Sequence, residues 1–265
     1  MLGACRAEST HSSASTATPP AASALPPPGA ASAAELVALQ TITVSRLAES
    51  ERGGVAVVLL HGYGAAGDDL ASLAERLARP GSRFILPAAP LPQGSGRAWW
   101  RIEGRRPPHA WDEQLPGGFV PNPQVASARR QVQQLLRDVK ARYAPGRLVL
   151  AGFSQGAMLS LDVALQAEPS VDRVGVLSGV MLADSLAALK TQRIDKPRFF
   201  MSHGRSDTVL PFAAAERAYE MLDARGYSVD FHDFDGGHQI PADVSEALAK
   251  FIYDGAPPYG QLEIR

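Results

Sequence analysis

Residues 147–167 read Arg-Leu-Val-Leu-Ala-Gly-Phe-Ser-Gln-Gly-Ala-Met-Leu-Ser-Leu-Asp-Val-Ala-Leu-Gln-Ala, and the change of pattern inside them sets the fold class. Arg147 to Ala151 is a short apolar run of the kind that forms a strand buried on both faces. Gln155 to Ala167 reads as a helix, closed by Glu168-Pro169, because proline cannot continue the backbone hydrogen bonding. Between them Gly152-Phe153-Ser154-Gln155-Gly156 leaves room for nothing but a tight turn. A buried strand that runs straight into a helix is half of a parallel β-α-β unit.

The same alternation recurs on both sides. Upstream, Val55 to Leu60 is a continuous β-branched and apolar run. Asp68-Asp69 offers an N-cap to a helix with Leu70, Leu73 and Leu77 on one face, which Pro80-Gly81 stops, and Arg83 to Leu86 is the next strand. Asn122-Pro123 is a cap followed by proline at the first helical position, and Val125, Val132, Leu135, Leu136 and Val139 form the stripe of that helix. Downstream, Arg173 to Leu177 and Pro197 to Met201 read as strands, Phe212 to Arg225 as a helix ended by Gly226, Tyr227 to Phe234 as a strand, and Pro241 to Tyr253 as a helix. Strands alternating with helices imply an α/β fold, a mostly parallel central sheet with helices on both faces. The catalytic-size domain is expected over 39–258, preceded by an Ala/Ser/Pro-rich tether over 1–38 and followed by a short tail over 259–265. The tether contains too little apolar surface to offset its ordering entropy.

Bulk properties remove several functions. The 265 residues are 45% hydrophobic, enough for a substantial core, and the formal net charge of −1 comes without any basic stripe, which argues against a nucleic-acid partner. Cys5 is the sole cysteine, so neither an internal disulfide nor a thiolate zinc site can form. No apolar stretch approaches the ~20 residues that span a bilayer.

The turn after the first-quoted strand is where chemistry is expected. A serine on a tight strand-to-helix turn has its hydroxyl pushed above the sheet, flanked by glycines that admit close backbone approach, and it meets the free N–H groups of a helix N-terminus. A five-residue pattern alone arises by chance in a chain with 24 glycines; its placement between strand and helix makes Ser154 the candidate nucleophile. A serine hydroxyl needs a base and the base an orienting acid, and in chains of this kind the order is Ser, acid, His. Three histidines follow Ser154: His203, His232 and His238. His238 follows Asp235-Gly236-Gly237 in a loop after a strand and is the candidate base. His232 lies within a strand, and His203 ends one, next to the candidate acid. Asp207 sits in the loop after that strand and also leads into a helix; Asp184 and Asp195 compete with it but follow no clear strand end. Leu59-Leu60-His61-Gly62-Tyr63-Gly64 closes the first buried strand. There His61 is read as a structural hydrogen-bonding residue, and the backbone N–H of Tyr63, paired with that of Gln155, as the functional part.

These segments, together with His203-Gly204-x-x-Asp207 and Gly236-Gly237-His238-Gln239-Ile240-Pro241, resemble the phospholipase/carboxylesterase family of α/β hydrolases, which includes acyl-protein thioesterases and lysophospholipases. The resemblance runs from about residue 41 to 254, with the motifs in the family's order and spacing. It implies the α/β-hydrolase fold, a triad of Ser154, Asp207 and His238, an oxyanion hole made by the N–H groups of Tyr63 and Gln155, and neither metal nor organic cofactor. Two features depart from the family pattern. Ala65-Ala66-Gly67-Asp68 replaces a small or acidic turn, and the stretch from Leu91 to Pro121 is longer and more basic, with Arg97, Arg101, Arg105 and Arg106.

That stretch holds Trp99, Trp100 and Trp111, and long connections inside a domain are commonly binding loops. The three tryptophans are the candidate substrate-binding residues, against the alternative that they cover a sheet edge. Its arginines fit either attraction of a carboxylate or phosphate or a solvated rim.

Leu2-Gly3-Ala4-Cys5 looks like the end of a bacterial lipoprotein signal, with the tether that should follow it. Lipidation of Cys5 would make the protein an exported, membrane-tethered lipoprotein; without it the protein is periplasmic or cytoplasmic. The expected function is a serine carboxylic-ester hydrolase acting on a small-molecule ester of small to medium acyl length. Thioester or lysophospholipid hydrolysis is the alternative within the family, and a catalytically silent binding module the alternative outside it. Oligomeric state is not legible.

Overall fold

Alternation along the strands decides which helix covers which side of the sheet. The computed structural model describes residues 38–48, 50–102, 122–166, 168–191 and 193–256; Cys5, Arg105, Arg106, Trp111, the tail, and the tether up to residue 37 lie outside them. In chain order the elements are β1 (Thr41–Ser45), β2 (Val55–Leu60), α1 (Ala71–Leu77), β3 (Ser82–Pro87), β4 (Leu91–Gln93), β5 (Gly96–Ala98), α2 (Pro123–Tyr143), β6 (Arg147–Phe153), α3 (Gln155–Leu165), β7 (Arg173–Leu177), α4 (Leu186–Lys190), β8 (Arg198–Gly204), α5 (Phe212–Asp223), β9 (Val229–Phe234) and α6 (Ala242–Tyr253).

Seven strands form one sheet in the order β1-β3-β2-β6-β7-β8-β9, and β4-β5 form a separate hairpin. All neighbours in the large sheet are parallel except β1, which pairs antiparallel with β3 at the edge. The sheet is therefore the α/β-hydrolase type that the sequence implied. Ala56, Val58, Leu60, Leu148 and Leu150 face the core shared with α2, α3 and α5, whereas Val55, Val57, Leu59, Val149 and Ala151 face the core shared with α1 and α6. This two-sided burial is why β2 and β6 read as unbroken apolar runs.

Local signals acted as chemistry requires, with some shifts. The Asn122 side chain accepts the Gln124 amide at 2.9 Å, with Pro123 at the helix start. Asp68 and Asp69 do not cap α1: the helix begins at Ala71, whose amide is held by the Asp68 backbone carbonyl at 2.8 Å. α3 stops at Leu165, two residues short of the expected end. At the opposite edge of the sheet from the strand C-termini, Arg147 and Arg173, the first residues of β6 and β7, donate to the last carbonyls of α6, including those of Ile252, Phe251 and Asp254. Cations at a helix C-terminus satisfy its orphan carbonyls and its dipole, and here they fix the helix that follows the His238 loop.

Candidate active site

Parallel strands deliver their following loops to one edge, so Ser154 after β6, Asp207 after β8 and His238 after β9 converge there. Ser154 has φ 54° and ψ −118°, a backbone conformation that a residue with a Cβ rarely adopts. The turn is tight enough to explain both flanking glycines. A Cβ on Gly152 would lie 2.4 Å from the Gly156 carbonyl, and one on Gly156 2.3 Å from the Leu60 carbonyl oxygen. The strain is held by β7, where the Leu177 carbonyl accepts the Ser154 amide at 2.9 Å, and by α3, where the Met158 amide bonds the Ser154 carbonyl at 3.0 Å.

His238 bridges the other two groups. Its Nδ1 lies 2.7 Å from Asp207 Oδ2 and its Nε2 2.8 Å from Ser154 Oγ. A carboxylate only accepts, so Nδ1 carries the proton and Nε2 accepts from the serine hydroxyl. The second oxygen of Asp207, Oδ1, accepts the amides of Val209 at 2.8 Å and Leu210 at 2.9 Å. Burial alone would push the carboxyl pKa up. The Leu210 and Val209 amides and His238 outweigh it, and the group lies below the usual aspartate range.

The loops of Asp207 and His238 are packed against each other. The Ser206 amide donates to the Gly236 carbonyl at 2.9 Å and Arg205 N–H to the Phe234 carbonyl at 2.9 Å. A Cβ on Gly204 would fall 2.3 Å from the Gly237 carbonyl oxygen and 2.4 Å from that of Gly236. Arg205 adds ion pairs to Asp233 and Asp235, worth little at the surface. Beneath Asp207, His203 is fully buried, and its Nε2 lies 2.9 Å from the Leu210 carbonyl. Burial holds its pKa below the usual histidine value, so it is a neutral donor.

Across the site, Tyr63 follows β2 and Gln155 opens α3. No acceptor for the Tyr63 amide is found among the described residues, and an amide in the first turn of a helix has no intrahelical partner. His61 is buried, with Nδ1 donating to the Gly62 carbonyl at 2.7 Å and Nε2 accepting the Ala89 amide at 2.9 Å. Both ring nitrogens are occupied, burial pushes the pKa down, and the side chain shapes the loop rather than touching Ser154. Asp184 accepts the Asn122 amide at 3.0 Å, away from the triad geometry.

Ser154, His238, Tyr63 and Gln155 open onto a cleft of about 290 Å³, walled by Gly62, Trp100, Ile102, Phe153, Met158, Val209 and Leu210. Of the predicted substrate-binding residues, Trp100 lines this cleft. Both tryptophans are fully buried, but Trp99 donates its indole N–H to the His61 carbonyl at 3.0 Å and is not part of the wall. Trp111 lies outside the described residues. Arg97 is spent on the carbonyls of Ala89 and Pro90, which makes it a brace for the β4–β5 hairpin. Sequence reasoning missed Phe153, Met158, Val209 and Leu210 as wall residues, although Phe153 adjoins Ser154 and Met158 stands one helical turn beyond it.

Comparison with known proteins gives the chain's family. The family model described as phospholipase/carboxylesterase matches residues 46–255. Acyl-protein thioesterase 1 of Gibberella zeae is 28% identical over 219 residues, covering 76% of this chain and 91% of the relative. Lysophospholipase-like protein 1 of Mus musculus is 27% identical over 123 residues, covering 45% of this chain and 52% of the relative. Among solved structures, esterase PE8 superposes with a TM-score of 0.66 at 28% identity, covering 82% of this chain and 98% of that one. Acyl-protein thioesterase 2 of Zea mays, with a TM-score of 0.59 at 20% identity over 81% of this chain and 97% of that one, shares the fold. The chain is a hydrolase of the α/β-hydrolase fold and belongs to the phospholipase/carboxylesterase family.

Proposed function

We propose that the protein hydrolyses carboxylic esters of small to medium acyl length through an acyl-enzyme on Ser154. The reading is carried by the unbroken hydrogen-bond chain Asp207–His238–Ser154 ending in an apolar cleft. Ser154 Oγ attacks the ester carbonyl while His238 Nε2 takes its proton. Asp207 stabilises the imidazolium that forms without itself taking a proton. The carbonyl oxygen becomes an oxyanion held by the Tyr63 and Gln155 amides, each such donor contributing about 10²–10³ in rate. Collapse breaks the C–O bond, and the imidazolium gives its proton to the leaving alcohol. Water, deprotonated by the same imidazole, then attacks the acyl-enzyme, and the carboxylic acid leaves as Ser154 regains its proton. A cleft near the small end of ligand-pocket volumes supports short to medium acyl groups.

The names of the relatives favour a second reading, thioester hydrolysis. The test is turnover of p-nitrophenyl esters from acetate to palmitate, beside the matching acyl thioesters, by the full chain and its Ser154→Ala variant. Ester turnover peaking at short to medium length and abolished in the variant is the expected result. Preference for thioesters would move the assignment to the second reading. Inertness of the folded protein toward every substrate, with no labelling of Ser154 by a fluorophosphonate, would leave a binding module.

A further inference from the structure

The side chain of Gln155 has a task that its place after Ser154 does not explain. The residue is 1% exposed. Its Oε1 accepts the Trp99 amide at 2.9 Å, and its Nε2 donates to the Trp100 carbonyl at 2.8 Å. A carboxamide offers an acceptor and a donor side by side, and here they hold the amide of Trp99 and the carbonyl of Trp100. The main chain of the same residue supplies the amide next to Ser154. Elsewhere the hairpin is stitched to the loop that carries the other candidate amide: Gly64 N–H donates to the Arg97 carbonyl at 2.8 Å, and Arg97 N–H to that of Ala65 at 2.9 Å. One residue thus connects the point where an oxyanion would sit to the backbone that carries the Trp100 wall.

Building on the ester-hydrolase reading above, we infer that Gln155 is a positioning residue that sets the spacing between the oxyanion amides and the Trp100 wall, and so the acyl length the site accepts. Without the carboxamide, a buried N–H and a buried carbonyl lose their partners, and the Trp99–Trp100 step shifts to find others. A shift on the order of 1 Å matters to a bound group that reaches the wall. On this inference a hexanoyl group, four methylenes longer than acetyl, presses on the wall where acetyl does not. The loss therefore grows with acyl length, whereas damage to the oxyanion hole itself would slow all esters alike.

The experiment is a double-mutant cycle on the full chain with Gln155→Met, Trp100→Ala and both, read as kcat/KM for p-nitrophenyl hexanoate relative to acetate. Gln155→Met is expected to lower that ratio about tenfold, and by less than about twofold in the Trp100→Ala background. Gln155→Glu keeps the acceptor for the Trp99 amide but loses the donor to Trp100. It is expected to repeat the shift in selectivity, and it decides the matter if the methionine variant does not fold. Hydrogen exchange gives a readout independent of turnover: the Trp99 amide should exchange about tenfold faster in Gln155→Met, with that of Leu150 in β6 unchanged. Equal losses on both esters, or a shift that persists without Trp100, would overturn the inference. So would unchanged exchange at Trp99. A parent inactive on every ester, with faster Trp99 exchange in the variant, would remove the ester reading while retaining the clamp.

Discussion

Nε2 of His203 lies 3.2 Å from Oδ2 of Asp207, the same carboxylate oxygen that faces Nδ1 of His238. The single N–H on that nitrogen donates to the carbonyl of Leu210, whose amide holds the other carboxylate oxygen. Replacing His203 by Phe removes the hydrogen bond that steadies Leu210, and through it the restraint on Asp207, about 1–1.5 kcal/mol. Steady-state kinetics should show kcat/KM reduced about tenfold. His203→Gln, which can still present an N–H at a similar reach, should recover most of it. Equal activity in both variants would show that His203 fills space and nothing more.

The backbone at Ser154 suits glycine better than any residue with a Cβ. Strain of this kind costs about 1–3 kcal/mol. Urea denaturation should therefore find Ser154→Gly more stable than Ser154→Ala by about 1 kcal/mol, with both devoid of ester turnover. An alanine variant as stable as the glycine variant would remove strain from the account of the turn.

Gly156 meets the carbonyls of Leu60 and His61, which are backbone and cannot rotate aside. Gly156→Ala should destabilise by about 3 kcal/mol or more, through displacement of α3 from β2. At Gly62 an added Cβ would find its nearest atoms at 3.4 Å, an ordinary contact, so Gly62→Ala should cost under about 1 kcal/mol. Similar urea midpoints for the two would contradict the packing described.

His61 and His203 are held neutral by burial, so their folded pKa values lie below the unfolded value of about 6.5. Below that pH the unfolded chain takes protons that the folded one refuses. Stability should fall as pH drops from about 6.5, by up to about 1.4 kcal/mol per pH unit for each histidine, until the folded values are reached. Asp207, drawn down when folded, contributes stability above about pH 4 that is lost only as pH falls through its lower folded value. Asp69 and Asp184, pushed up by burial, act in the opposite sense in the acid range and offset part of the loss. Urea midpoints at pH 7.5, 6.5 and 5.5 measure the slope, and His203→Gln should roughly halve it. A flat profile over that range would mean that the two rings accept protons in the folded state.

The central strands were legible because burial on both faces writes itself into sequence as an unbroken apolar run, as at Val55 to Leu60. The loops at which Ser154, Asp207 and His238 stand follow from those strand ends and from parallel connection. β4 and β5 were not legible: three residues each, with a proline in one and a glycine in the other, they are held where Arg97 pairs with Gly64 and Ala65 in the loop after β2. Nor could the bonds from Gln155 to Trp99 and Trp100 be read, since they join residues 55 or 56 positions apart and depend on how the hairpin is folded back. For the same reason Trp99 and Trp100, adjacent in sequence and alike in character, could not be separated into brace and wall.

At Gly204 the space a side chain would need is filled by the carbonyls of Gly236 and Gly237. The segment bearing Asp207 and the segment bearing His238 are consequently interlocked, and a displacement of one meets the backbone of the other. His238 cannot swing off Ser154 on a hinge of its own while the acid loop stays behind. Val209 and Leu210 carry this interlock into the wall of the cleft, so a change in either segment reaches the substrate side as well.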